Sequence, residues 1–189
     1  MSTSTIAPTF PIHRLYAVRA VAAIVWAALL TAVGSADGVA TGESVSAAVV
    51  ALLIAYPLID AVATLAEIRI RRPSAPTPLV VNAIISVITA IVLGASVSHG
   101  SDAALRVFGV WALVTGLIQL TVATLRRRRS GLGQLPMMLS GFISSLAGIA
   151  FVQMSTMSEP KLTVLAGYAV AGAVFFLISA WRLRSQQDA

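Results

Sequence analysis

Six long stretches of mostly apolar residues dominate the hydrophobic pattern of this chain, and short polar or Pro- and Gly-containing segments separate them. They cover residues 15–34, 45–66, 79–98, 103–125, 135–155 and 162–181. As helices with a rise of 1.5 Å per residue, each would be about 30 Å long, the thickness of a bilayer's hydrocarbon core. Transmembrane strands would instead show segments of about 10 residues with alternating polarity. The pattern predicts an all-α, polytopic membrane protein with six transmembrane helices.

Composition supports this class and excludes several others. Of the 189 residues, 58% are hydrophobic and 11% are charged, whereas a typical soluble domain has about 25% charged residues. The chain has no cysteine, which excludes disulfides, thiolate catalysis and Cys-ligated metals. It also lacks the zinc-protease, P-loop and nucleophile-elbow motifs. We therefore expect neither an enzyme nor a cofactor. The first apolar stretch is longer than the 7–15 residues of a secretory signal core, so we expect it to be retained.

The basic residues predict the orientation in the membrane. If the N-terminus is cytoplasmic, one side holds eleven of the 13 basic residues and the other holds only Arg106 and Lys161. The positive-inside rule then places both termini in the cytoplasm, with residues 1–13 and 185–189 as tails. Nine of the eleven are predicted to anchor the chain to anionic lipid headgroups: Arg69, Arg71, Arg72, Arg126, Arg127, Arg128, Arg129, Arg182 and Arg184. Such an arginine run can also bind nucleic acid, but its place directly after a membrane helix favours the lipid anchor, and we expect no nucleic-acid partner.

A threefold internal repeat divides the single transmembrane domain, residues 1–189, into hairpins at about 14–72, 78–129 and 135–184. The second helix of each hairpin carries an aromatic residue at an equivalent position, Tyr56, Trp111 or Tyr168. The first helices carry small residues seven apart, which permit close backbone approach: Ala20 and Ala27, Ala83 and Ala90, Gly141 and Gly148. Because the repeats run in the same direction, we expect an axis along the membrane normal and not an inverted repeat.

The third hairpin carries a family resemblance. Its segments 137–149 (MMLSGFISSLAGI), 165–168 (LAGY) and 176–184 (FLISAWRLR) resemble the HdeD-like family. That family is a bacterial group of six-helix membrane proteins built from a short hydrophobic repeat. The resemblance implies a location in the bacterial inner membrane and, as in some members, a link to acid resistance. It brings no catalytic residues.

One polar stripe is the candidate functional site. Asp60 lies deep in the second apolar stretch, where a carboxylate costs about 2.5–3.5 kcal/mol on insertion scales. Tyr56, Asp60, Thr64 and Glu67 recur at helical spacing, so they should face the bundle interior. Arg19, in the first helix, is the expected partner of Asp60. The candidate site therefore comprises Arg19, Asp60, Thr64 and Glu67.

Two interpretations of this stripe stay open. In one, Asp60 is a proton-titratable site paired with Arg19. In the other, Arg19 snorkels to the headgroups and Asp60 only hydrogen-bonds within the bundle. We expect Glu67 to form a solvated pair with Arg71, four residues on. Pro57 predicts a kink in the second helix. Three further amides, Asn82, Gln119 and Gln153, are predicted to form interhelical hydrogen bonds.

These features predict an integral membrane protein related to stress or acid resistance. It would act by helix packing and lipid contact, or through a protonatable Asp60. A transporter or channel for a small solute or proton is one alternative, although the apolar outer halves of the second, fourth and sixth helices disfavour an open pore. A scaffold or subunit for a membrane partner protein is another. Anionic lipids are the expected partners, and a homo-oligomer stays open.

Overall fold

The computed structural model describes residues 11–36, 45–71, 77–130, 134–158 and 160–185. Within these ranges the chain forms six α-helices and no strand. They are α1 (Ile12–Ala36), α2 (Ala47–Arg71), α3 (Thr77–Ser96), α4 (Ser101–Ser130), α5 (Leu135–Met154) and α6 (Val164–Ser185), with a 3₁₀ turn at Val97–His99. All six helices are long and apolar enough to cross a membrane. The predicted all-α class with six transmembrane helices is confirmed.

The helices extend further toward the arginine-rich end of the bundle than the apolar pattern predicts. α2 continues to Arg71 and α4 to Ser130, because arginine is a good helix former even where the apolar stretch has ended. Ile12, His13 and Ser185 are also helical, where short tails were predicted. The remaining residues of both predicted tails lie outside the described ranges, except Pro11.

Local sequence signals set several other features of the helices. α2 is one continuous helix through the buried Pro57, and Trp26 Nε1 donates a 2.6 Å hydrogen bond to the carbonyl of Leu52 one turn earlier. α5 begins with a proline in its first turn, where the missing N–H has no intrahelical partner. Gly100, with φ of 104°, makes the turn into α4, since glycine adopts this conformation without strain.

The six helices pack as a closed ring in chain order, because each contacts its neighbours in sequence and α1 also contacts α6. The three most extensive interfaces are α1–α6, α2–α3 and α4–α5, so they join successive hairpins. Contacts within each hairpin are less extensive. Three close and three looser interfaces therefore alternate, as expected of three parallel repeats around an axis along the membrane normal.

The close interfaces use the small residues of the repeat. A Cβ atom on Gly141 would lie 2.7 Å from the backbone nitrogen of Leu120, and one on Gly148 would meet the backbone of Leu113. Backbone contact between α4 and α5 therefore requires glycine at both positions. The matching positions of α1 and α3 hold the buried alanines Ala20, Ala27, Ala83 and Ala90.

An aromatic cluster occupies the middle of the bundle. Its rings pack with centroid distances of 4.3 to 6.5 Å and belong to Trp26, Tyr56, Phe108, Trp111, Phe151 and Tyr168. The three aromatic residues of the repeat meet here, with Tyr56 5.8 Å from Trp111 and 6.5 Å from Tyr168. On the side away from the arginine-rich end, buried leucines complete the core: Leu30, Leu53, Leu105, Leu162 and Leu165.

Candidate functional site

A cavity of about 110 Å³ lies between the aromatic cluster and the arginine-rich end of the bundle. All six helices contribute to its wall, and polar side chains are concentrated there. Those of the wall are Arg19, Asp60, Thr64, Glu67, Asn82, Thr115, Gln119, Arg126, Ser140 and Ser144. The predicted stripe of Tyr56, Asp60, Thr64 and Glu67 faces this cavity in full. Helical spacing thus located one wall of the site.

Asp60 is held by donors from two other helices. Arg19 Nη2 of α1 donates to Oδ1. Asn82 Nδ2 and Ser86 Oγ of α3 each donate to Oδ2 at 2.8 Å. Trp111 Nε1 of α4 donates to Ser86 Oγ at 3.1 Å, which orients that hydroxyl. The carboxylate is therefore an acceptor in a network that joins four helices.

Arg19 is directed into the bundle and does not snorkel. Its side chain is 12% exposed, and its guanidinium lies 4.7 Å from the ring centroid of Phe176. The expected pair with Asp60 is present, whereas the alternative in which Arg19 reaches the headgroups is wrong. The reason is that α1 lies between α2 and α6 in the ring. The Arg19 side chain is therefore between Asp60 of α2 and the ring of Phe176 of α6.

Glu67 forms a second charged centre. Its carboxylate accepts hydrogen bonds from Arg71 Nε at 2.9 Å, Arg126 Nη2 at 2.8 Å and the Tyr16 hydroxyl at 3.2 Å. Arg19 Nη1 lies 3.7 Å from its other oxygen. The predicted pair with Arg71 is confirmed, but its predicted solvation is wrong: the Glu67 side chain is 3% exposed, since α1 and α4 cover it.

The structure divides the predicted lipid anchors into two groups. Arg71 and Arg126 direct their guanidinium groups to Glu67. Five others are exposed near the ends of α2, α4 and α6: Arg69, Arg127, Arg128, Arg182 and Arg184. Arg72 and the side chain of Arg129 lie outside the described part of the chain.

The uncharged polar residues also join helices. Asn82 Nδ2 donates to Thr64 Oγ1 at 3.2 Å, and Gln119 Nε2 donates to the carbonyl of Met137 at 3.3 Å. The predicted interhelical role is confirmed for these two amides. It is wrong for Gln153, which is exposed on α5 and has no side-chain hydrogen bond among the described residues. An amide near a helix end can face outward because headgroups and water lie close.

Sequence reasoning missed Ser86, Tyr16 and the inward direction of Arg126. The sequence did indicate Ser86, because this residue follows Asn82 by four positions and therefore lies on the same helix face. Tyr16 and Arg126 are 110 residues apart in sequence, and only the ring packing brings them together.

Among the described residues, no group of three His, Asp or Glu side chains is placed to hold a metal ion. Both acids of the cavity wall, Asp60 and Glu67, are paired with guanidinium groups. Neither is positioned as a free ligand or base in this structure.

Fold and hydropathy together define a multi-pass helical membrane protein. The family described as a short repeat of unknown function (DUF308) matches residues 81–153, less than half of the chain, from α3 almost to the end of α5. Comparisons with curated proteins and with solved structures give no match. The matched region includes the glycine-dependent α4–α5 interface, whereas Arg19, Asp60 and Glu67 lie outside it.

Proposed function

We propose that this chain is an HdeD-like protein of the bacterial plasma membrane that contributes to acid or stress resistance through the polar cluster around Asp60. The short-repeat match at residues 81–153 and the sequence resemblance in the third hairpin support the family. In this proposal both termini are cytoplasmic, and the arginine-rich end of the bundle faces the cytoplasm. The protein binds and does not catalyse, and it needs no cofactor.

The observation that carries the proposal is the confinement of the polar cavity to one half of the bundle. Its lining holds two acids, their arginine partners and several neutral polar groups. The aromatic cluster lies between the cavity and the other half of the bundle, which buried leucines fill. A channel needs a continuous polar path, so this geometry favours a binding pocket over a channel. Gradient-driven flux of protons or small solutes into liposomes containing the protein would favour the transporter instead.

The expected partners follow from the surface. In this proposal the exposed arginines near the ends of α2, α4 and α6 contact anionic headgroups of the cytoplasmic leaflet. A second copy of this chain, or a membrane partner protein, stays an alternative for the lipid-facing helix surfaces. No nucleic-acid partner is proposed.

Survival at low pH tests the role of the cluster. A strain lacking the gene would be restored with wild type, Asp60→Asn or Asp102→Asn. Asp102 is the matched control, because its side chain is 48% exposed at the opposite end of the bundle. We expect Asp102→Asn to restore survival fully. Asp60→Asn weakens charged hydrogen bonds, each of which contributes about 1.5–3 kcal/mol, so survival should fall about tenfold or more.

Immunoblots of the membrane fraction must show equal amounts of both variants. Full rescue by Asp60→Asn at wild-type protein level would remove Asp60 from the function.

A further inference from the structure

The charged groups of the cavity wall are satisfied by one another. Arg19 binds Asp60, and Glu67 binds Arg71 and Arg126. A charged ligand would have to compete with these pairs, and separating a buried pair is costly because it leaves an uncompensated charge. The charges therefore shape the cavity without offering a free ionic contact.

The unused hydrogen-bonding groups of the cavity are neutral. Within the described ranges, the hydroxyls of Tyr56 and Ser140 and the side-chain carbonyl of Gln119 form no hydrogen bond with another protein group, and all three residues line the cavity. Ser140 is buried, and Tyr56 and Gln119 are partly exposed, so water or a ligand can satisfy these groups. The three groups come from α2, α4 and α5, so they surround the space instead of lining one edge.

The cavity volume limits the size of the molecule it holds. About 110 Å³ is less than the roughly 150 Å³ of an apolar cavity that holds benzene, and it equals the share of about three to four water molecules. A solute of about four to six heavy atoms fits. The wall also has apolar surface from Ile118, Phe175 and Phe176, which suits a short carbon skeleton.

We propose that this cavity is a binding site for a small uncharged polar solute, a short polyol or amide. The inference deepens the proposed function by naming the ligand class. It rests on the same cavity in one half of the bundle but not on the role in stress resistance.

Gly172 provides a variant that fills the cavity without disturbing the packing. It lines the cavity on α6, and a Cβ atom there would meet nothing within 4 Å. Gly167 is the matched control, because it lies on the same helix, has the same open space, and is exposed on the outside of the bundle. Gly172→Leu should therefore occupy the ligand space, whereas Gly167→Leu should extend into lipid.

The experiment measures binding of 1,2-propanediol and acetamide to the full-length protein in nanodiscs by saturation-transfer NMR, with empty nanodiscs as background and acetate as the charged comparison. We expect both neutral probes to bind wild type and Gly167→Leu. In Gly172→Leu their Kd should be at least about tenfold weaker, as overpacking a filled site predicts. Acetate should bind no variant measurably.

Three results would overturn the inference: no binding of either neutral probe to wild type, equal binding by Gly172→Leu, or binding of acetate in preference to the neutral probes. The first would mean that the cavity holds only water. If Gly172→Leu does not fold, the series Gly172→Ala and Gly172→Val replaces it, and binding should decline with side-chain size. Low-pH survival is measured separately, so failure of this inference and failure of the proposed function are distinguishable.

Discussion

Arg19 connects the two acids of the cavity wall, since its guanidinium bonds to Asp60 and lies 3.7 Å from Glu67. Ionisable residues at membrane depth are costly unless they are paired and face the protein interior. Both conditions hold here. Glu67 is the more buried acid and has the larger number of cationic partners, so the stability of the arginine-rich end should depend on it.

Replacement of Glu67 tests this dependence. Glu67→Gln keeps the shape of the side chain but leaves Arg71 and Arg126 without the carboxylate, and breaking a buried pair costs about 3–5 kcal/mol. We expect a loss near the lower end of that range, because Arg71 is 27% exposed. Unfolding by SDS titration, followed by tryptophan fluorescence, measures it.

Asp102→Asn is the control for the same measurement. It removes an acid from an exposed i, i+4 pair with Arg106, whose closest N–O distance is 4.0 Å. Exposed pairs contribute about 0–1 kcal/mol, so the change should be small. Equal losses in the two variants would show that the cluster at Glu67 gives no special stability.

At the scale of single residues, the sequence predicted which side chains share one helix face, but it did not predict contacts between distant helices. The spacing of Asp60, Thr64 and Glu67 on one helix was enough to place all three on the cavity wall. The pairing of Glu67 with Arg126, 59 residues away, could not be predicted, because it requires α2 and α4 to converge at the arginine-rich end. The charge of Arg126 therefore suggested a lipid anchor when the sequence was considered alone.

At the scale of the helix, the α4–α5 interface depends on the absence of side chains. Gly109 and Gly116 of α4 face Gly141 and Gly148 of α5, where an added Cβ would meet backbone atoms of the partner helix. Close backbone approach is a main source of helix association in lipid. The spacing of seven between Gly141 and Gly148 was visible in the sequence, but which helix they pack against was not, because the hairpin pattern does not distinguish α4 from α6.

Gly148→Ala tests the close approach directly. The new methyl would meet the backbone of Leu113 and Gly109, which cannot move independently of α4. Overpacking of this kind costs about 1–3 kcal/mol. Gly167→Ala is the control: its Cβ enters open space, so the gain in helix propensity should stabilise by about 0.5–1 kcal/mol.

The two glycine variants should change the free energy of unfolding in opposite directions, so their effects are easy to distinguish. Unfolding by SDS titration measures both. A stabilising Gly148→Ala would mean that α4 and α5 are not in backbone contact.

At the scale of the whole molecule, differences among the three repeats create the cavity. The position of Asp60 in the first repeat is held by Thr115 in the second and Gly172 in the third, and all three line the space. The third repeat thus contributes no side chain there, while the first contributes the charge. Repeat spacing predicted the equivalence of these positions. It could not predict the cavity, whose volume depends on how six helices close into a ring.

The same closure makes the orientation in the membrane testable at two exposed serines. Ser185 ends α6 at the arginine-rich end of the bundle, and Ser98 lies in the 3₁₀ turn between α3 and α4 at the opposite end. The chain has no cysteine, so Ser185→Cys and Ser98→Cys each introduce a single thiol. The positive-inside rule predicts that the arginine-rich end is cytoplasmic. A membrane-impermeant maleimide should therefore label Ser98→Cys in intact cells and Ser185→Cys only after permeabilisation. The reverse pattern would place the arginine-rich half of the bundle, and with it the cavity, nearer the external face of the membrane.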